Sequence, residues 1–252
     1  MEIAGARVLV TGGARGLGRT FALDLAGAGA HVGVCDVDEE ALAGLRVDAG
    51  ELGLHVWTMS ADVSDEESVE ALFAAFVKEA GGLDAVVNNA GLNRYGLLIK
   101  KTGDKVEKLP LSRWQAVIDV DLTGVFLCAR EAAYYLVTQG TGGIIVSISS
   151  LSWLGNIGQT NYSAAKGGVV SMTRTWAIEL SRYGIRSVAV APGLTATDMA
   201  KSMPEDARER LTSAIPLHRM AEPSEVSHAV RFVIENDFIN GRVISVDGGL
   251  RL

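Results

Sequence analysis

Tyr162-Ser163-Ala164-Ala165-Lys166 sets a phenol and an ammonium four residues apart. On a helix these positions share one face, with Cβ atoms about 5–6 Å apart. A phenol with its ordinary pKa near 10 is a poor acid–base at neutral pH. A fixed positive charge beside it stabilises the phenolate and brings proton transfer into a working range. The pair is suited to moving a proton on and off an oxygen, as carbonyl–alcohol interconversion requires. Alone, the spacing describes many solvated helix faces, so its neighbours in the chain decide its meaning.

A second segment with chemical potential is Thr11-Gly12-Gly13-Ala14-Arg15-Gly16-Leu17-Gly18, directly after an apolar run and ahead of a helical pattern. Glycines let the chain turn tightly and let backbone N–H groups approach a pyrophosphate at the positive end of a helix. The segment departs from G-x-G-x-x-G, because Phe21 stands where the third glycine falls, and it reads T-G-x-x-x-G-x-G. Asp36 closes the next apolar run, 18 residues beyond Gly18. A carboxylate there can accept hydrogen bonds from the adenosine ribose and repels a 2′-phosphate, which favours NAD. Arg15 in the turn pulls toward NADP, and Asp36 is equally placed to cap the helix that begins near Asp38, Glu39 and Glu40. NAD is expected and NADP stays open.

The elements that position these groups follow from periodicity. Short β-branched runs predict strands near 7–11, 31–36, 54–60, 84–88, 143–149, 186–191 and 243–246. Amphipathic stretches predict helices near 16–28, 38–50, 65–80, 111–138, 159–182 and 223–235. Such alternation builds right-handed βαβ units around a mainly parallel sheet covered on both faces. Ala85-Val86-Val87 and Ile144-Ile145-Val146 are unbroken apolar runs, as strands buried on both sides require. Ser64 ahead of Asp65, Glu66 and Glu67 reads as a helix cap, and Pro223 opens the last helix. Residues 92–110 suggest a basic hairpin and 193–222 loops around a short polar helix, and long excursions of this kind usually serve binding. No linker or repeat divides residues 1–252, so one domain is expected.

Composition narrows the function classes. The 252 residues are 48% hydrophobic and 21% charged, the balance of a globular chain able to bury a large core. A net charge of −7 without a Lys/Arg stripe argues against nucleic acid as a partner. Cys35 and Cys128, in apolar contexts, read as buried free thiols, and the four histidines, His31, His55, His218 and His228, lack metal-ligand spacing. No metal is expected. With no secretory leader and no apolar stretch long enough for a bilayer, a cytoplasmic protein without a membrane partner is expected.

Five motifs in order carry a resemblance: the turn at 11–18, Asn88-Asn89-Ala90-Gly91, serines closing the strand at 143–149, Tyr162 with Lys166, and Pro192-Gly193. Together they resemble the short-chain dehydrogenase/reductase family, in particular its 3-oxoacyl-carrier-protein-reductase-like members, across essentially the whole chain. The resemblance implies a single doubly wound Rossmann-type α/β domain with about seven strands, passing a hydride between nicotinamide and a carbonyl or secondary alcohol. It implies that Tyr162 is the acid–base and that Lys166 holds the nicotinamide ribose. A serine would bind the substrate oxygen; the family spacing selects Ser149, the strand pattern leans to Ser150, and both stand. Cofactor contacts are implied for Gly12, Arg15, Gly16, Leu17, Gly18, Asp36, Asp62, Val63, Asn89, Ala90, Gly91, Tyr162, Lys166, Pro192, Gly193, Thr195 and Thr197. Asp121 departs from the asparagine the family places there to support a water chain to the lysine; it can still accept a hydrogen bond, and its charge should keep Lys166 protonated. Homotetramers or homodimers are implied, packed through the helices at 111–138 and 159–182, with a small-molecule or carrier-bound substrate. Lys100, Lys101, Lys105 and Lys108 are placed to attract an anionic one or simply to solvate a loop. A cofactor-binding regulatory or scaffold protein on the same fold is the alternative.

Overall fold

The computed structural model describes residues 1–197 and 205–251. Its strands are β1 (Arg7–Thr11), β2 (His31–Asp36), β3 (Val56–Ser60), β4 (Ala85–Asn88), β5 (Ile99–Thr102), β6 (Lys105–Lys108), β7 (Gly143–Ile148), β8 (Ile185–Pro192) and β9 (Val243–Val246). Seven of them form one sheet in the order β3-β2-β1-β4-β7-β8-β9, every neighbouring pair parallel. The expected seven-stranded, doubly wound architecture is present. All four residues of β4 are buried, which is why its sequence carries no polar alternation.

Helices α1 (Gly16–Gly27), α2 (Glu39–Glu51), α3 (Glu66–Ala80), α4 (Leu111–Ile118), α5 (Val125–Gln139), α6 (Thr160–Glu179), α7 (Glu205–Ser213) and α8 (Pro223–Glu235) complete the described chain. Two apolar layers result. On one face Phe21 and Leu25 of α1, Leu45 of α2 and Val230 of α8 cover Val8, Val34 and Val146. On the other, Phe73 and Phe76 of α3 and Leu136 of α5 cover Leu9, Val86 and Ile145. Strand order reverses between β1 and β4, so the crevice where ligands enter such sheets opens at Thr11–Gly12 and Asn88–Gly91.

Three local expectations change. The helix expected at 111–138 is three pieces, because a π-helical turn at Asp119–Gly124 joins α4 to α5. The cap of α3 is Asp65, whose carboxylate accepts from Ser68 N–H at 3.0 Å. Ser64 instead gives its hydroxyl to Asp62 Oδ1 at 2.6 Å. Likewise Asp38, not Asp36, caps α2, by accepting from Ala41 N–H at 2.9 Å. The hairpin within 92–110 is real: β5 and β6 pair antiparallel, with all eight of their residues exposed. Within 193–222 the short polar helix is α7, and residues 198–204 lie outside the described residues. Among the described residues no helix is long and apolar enough to cross a membrane.

Candidate active site

The N-terminus of α1 is built to receive something negative. Arg15 stands at its N-cap with its side chain capping none of the helix N–H groups, and no acidic residue occupies its first turn. Helices α2 and α3 are both capped by aspartates, so their first N–H groups are spoken for. Gly16 has φ +53°, and a Cβ there would meet nothing within 4 Å, which leaves backbone open to a ligand. Gly18 is tight instead: a Cβ would fall 2.3 Å from Gly12 O and 2.4 Å from Asn89 Nδ2. Leu17 tucks its side chain toward the core between them. A cavity of about 620 Å³ borders the turn, lined in part by Ala14, Arg15, Gly16 and Thr197. An uncapped helix end, an open glycine and adjoining empty volume fit the pyrophosphate of a dinucleotide.

The crevice walls come from the strand ends. Asn89 Nδ2 donates to Thr11 O at 3.1 Å and Gly12 O at 2.8 Å, and Thr11 Oγ1 accepts from the N–H groups of Asn89 and Ala90 at 3.1 Å each. The Asn89 side chain thus braces the glycine turn. At the end of β2, Asp36 accepts from Ala14 N–H and Asp38 N–H, both at 3.2 Å. Asp62 turns its carboxylate to Ser64, and buried Val63 packs where a Cβ on Gly124 would collide at 2.9 Å. Past β8, Pro192 ends the strand, and a Cβ on Gly193 would lie 2.8 Å from Asp247 Cα. Thr195 is buried and bridges Ala221, and Thr197 N–H donates to Thr195 O at 2.8 Å.

Tyr162 and Lys166 meet on α6, the ammonium 5.4 Å from the ring centroid. Lys166 is 3% exposed, and its Nζ donates to Ile148 O at 3.1 Å. Asp121, wholly buried in the π-helical turn, faces it with Oδ2 3.3 Å from Nζ. Asp121 Oδ1 accepts from Leu92 N–H at 2.8 Å. Burial works to lower the Lys166 ammonium, yet the Asp121 and Tyr162 charges prevail and its pKa is raised. Burial likewise raises the Asp121 carboxyl, against the pull of Lys166 and the Leu92 N–H. The ion pair keeps Lys166 charged, as the sequence suggested.

The two serines differ. Ser149 is buried, and its hydroxyl donates to the Lys166 carbonyl at 3.0 Å. Ser150 is half-buried; its oxygen accepts from Ser152 N–H at 3.2 Å, which leaves its own proton to give.

Sequence reasoning overlooked two residues. Buried Asn161 accepts from Tyr162 N–H and donates to the carbonyls of Arg94 and Arg113, within 3.0–3.1 Å, so it pins the chain around 94–113 to the start of α6. Tyr95 then stands edge-on to Tyr162, centroids 5.6 Å apart. The polar Asn161 just ahead of the phenol was the available signal; for Tyr95, deep in an irregular stretch, there was none.

Comparison with known proteins identifies the family. The family model described as Enoyl-(Acyl carrier protein) reductase matches residues 12–251. The chain is 38% identical over 252 residues to a 3-oxoacyl-(acyl-carrier-protein) reductase of Thermotoga maritima, covering 99% of each. It is 40% identical over 248 residues to a cis-4-hydroxycyclohexanecarboxylate dehydrogenase of Sinomonas cyclohexanicum, covering 96% of this chain and 94% of that one. The crystal structure of levodione reductase superposes with a TM-score of 0.89 at 34% identity, covering 98% and 97% of the two chains. With this coverage, the chain belongs to the short-chain dehydrogenase/reductase family of NAD(P)-dependent oxidoreductases.

Proposed function

We propose that residues 1–252 act as one catalytic unit that interconverts a ketone and a secondary alcohol with NAD as the preferred cofactor. The contact that carries this reading is the buried Lys166 ammonium, held by Asp121 and Ile148 O, 5.4 Å from the Tyr162 ring. When bound, the nicotinamide exchanges a hydride with the substrate carbon. Tyr162 gives its phenolic proton to the carbonyl oxygen during reduction and takes it back during oxidation. Ser150 donates its free hydroxyl proton to the same oxygen and stabilises negative charge there. Ser149, committed to the Lys166 carbonyl, supports the helix instead. Lys166 holds the nicotinamide ribose and steadies the phenolate by its charge. Asp121 keeps that charge in place as a positioning residue.

Gly12, Gly16, Leu17 and Gly18 would hold the pyrophosphate, with Pro192, Gly193, Thr195 and Thr197 on the nicotinamide side. Asp36, Asp62, Val63 and the backbone of Asn89, Ala90 and Gly91 would hold the adenosine. Asp36 at the end of β2 supports NAD, because its carboxylate repels a 2′-phosphate. The substrate is a small or carrier-bound carbonyl compound, and the protein works in the cytoplasm as a homodimer or homotetramer.

The decisive experiment follows absorbance of the reduced nicotinamide across a panel of ketones and alcohols, with both dinucleotides. Turnover with at least one substrate is expected. Tyr162→Phe should lower it by about 10²–10⁴-fold while dinucleotide binding persists. A wild-type protein that binds neither dinucleotide, or a Tyr162→Phe variant with full turnover, would overturn the reading.

A further inference from the structure

Arg15 sits one residue past Ala14, whose N–H lies 3.2 Å from the Asp36 carboxylate. In the dinucleotide reading above Asp36 faces the adenosine ribose, and Arg15, next to the Ala14 that Asp36 contacts, would be placed to meet a phosphate on the ribose 2′ position. The arginine is engaged elsewhere. Its NH2 lies 2.5 Å from Asp38 Oδ2, while Asp38 Oδ1 accepts from Ala41 N–H at 2.9 Å. One carboxylate therefore caps α2 with one oxygen and holds Arg15 with the other. The next cation along α1, Arg19, is likewise taken, by Asp48.

We propose that Asp38 is a specificity residue for the cofactor: by holding Arg15 it withdraws the charge that would otherwise bind a 2′-phosphate, so the preference for NAD rests on Asp36, Arg15 and Asp38 together. The proposal rests on the dinucleotide reading above and deepens it. Asp36 alone repels a 2′-phosphate but leaves a neighbouring guanidinium to attract it. Asp38 removes that attraction and adds a second negative charge, with Glu39 and Glu40 following on the same turn. The Arg15 side chain is 71% exposed, so the hold is a shifting equilibrium with water that a change of charge at residue 38 can tip.

Asp38→Asn is the informative substitution, because asparagine caps a helix as well as aspartate does. It keeps α2 intact and frees Arg15. Dissociation constants for NAD and NADP can be measured by calorimetry without any substrate. Asp38→Asn should tighten NADP binding about tenfold, with NAD binding held within about twofold. Adding Arg15→Ala should abolish the gain. An unchanged NADP-to-NAD ratio in Asp38→Asn, or a gain that survives the loss of Arg15, overturns the proposal. If the wild type binds neither dinucleotide, the functional reading and this one fall together; if it binds NAD and the ratio does not move, only this one falls.

Discussion

Lys166 carries a full charge at a place nearly closed to water, and Asp121 makes that tolerable. Removing one partner of such a pair strands the other, which costs about 3–5 kcal/mol. Asp121→Ala should therefore lower stability by about that amount, visible as a drop in the urea midpoint. Asp121→Asn keeps an acceptor for Leu92 N–H and should lose less; an alanine variant as stable as the wild type would show that the pair has no structural weight. The two serines separate in the same way. Ser149→Ala removes a buried hydrogen bond and should cost about 1 kcal/mol with turnover largely kept. Ser150→Ala should leave stability alone and reduce turnover by about 10²-fold, and the opposite pattern in paired activity and denaturation measurements would reverse the assignment. Tyr162 and Lys166 were legible as a pair from their spacing, because i and i+4 meet on any helix, and the motifs around them supplied the meaning. Ser149 against Ser150 was not: they are adjacent at a strand end, where alternation stops telling one side from the other.

Among the elements, α1 shows how a missing cap can be informative. A helix start without Ser, Asp or Asn reads as a weak one, yet here the bare N–H groups are what a phosphate needs. Gly18 makes the geometry possible by letting α1 press against Gly12 and the Asn89 amide. Gly18→Ala should push the turn open, costing about 1–3 kcal/mol and weakening dinucleotide binding, as a thermal melt and a titration would record. Wild-type affinity in that variant would mean that the turn is not the binding element. Strand positions were legible because burial on both faces leaves only apolar residues to choose from. The π-helical turn was hidden: one inserted residue within a long apolar-periodic helix shifts the register without breaking the pattern. Which of Asp36 and Asp38 caps α2 was hidden too, since both satisfy the same rule and only the path of the backbone chooses.

For the molecule as a whole, the apolar layer beneath α3 and α5 seals both cysteines, and burial pushes the Cys35 thiol from 9.0 up to about 12 and Cys128 well above 9.0. Between those values the folded state holds protons that the unfolded chain releases, so stability should fall as pH rises beyond about 9. Both thiols should also resist alkylation at pH 8 until the protein unfolds; rapid labelling of the native protein would contradict the sealed layer. The order of strands has a consequence in time. The first four in sequence make one contiguous half of the sheet, and β4 remains its bare edge until β7 arrives. During synthesis that interval spans roughly fifty residues, or several seconds on the ribosome. Val86 and Val87 are then an unpaired, fully apolar template of the kind that seeds aggregation. Nascent chains stalled between 88 and 143 should therefore need chaperone protection that the finished protein does not.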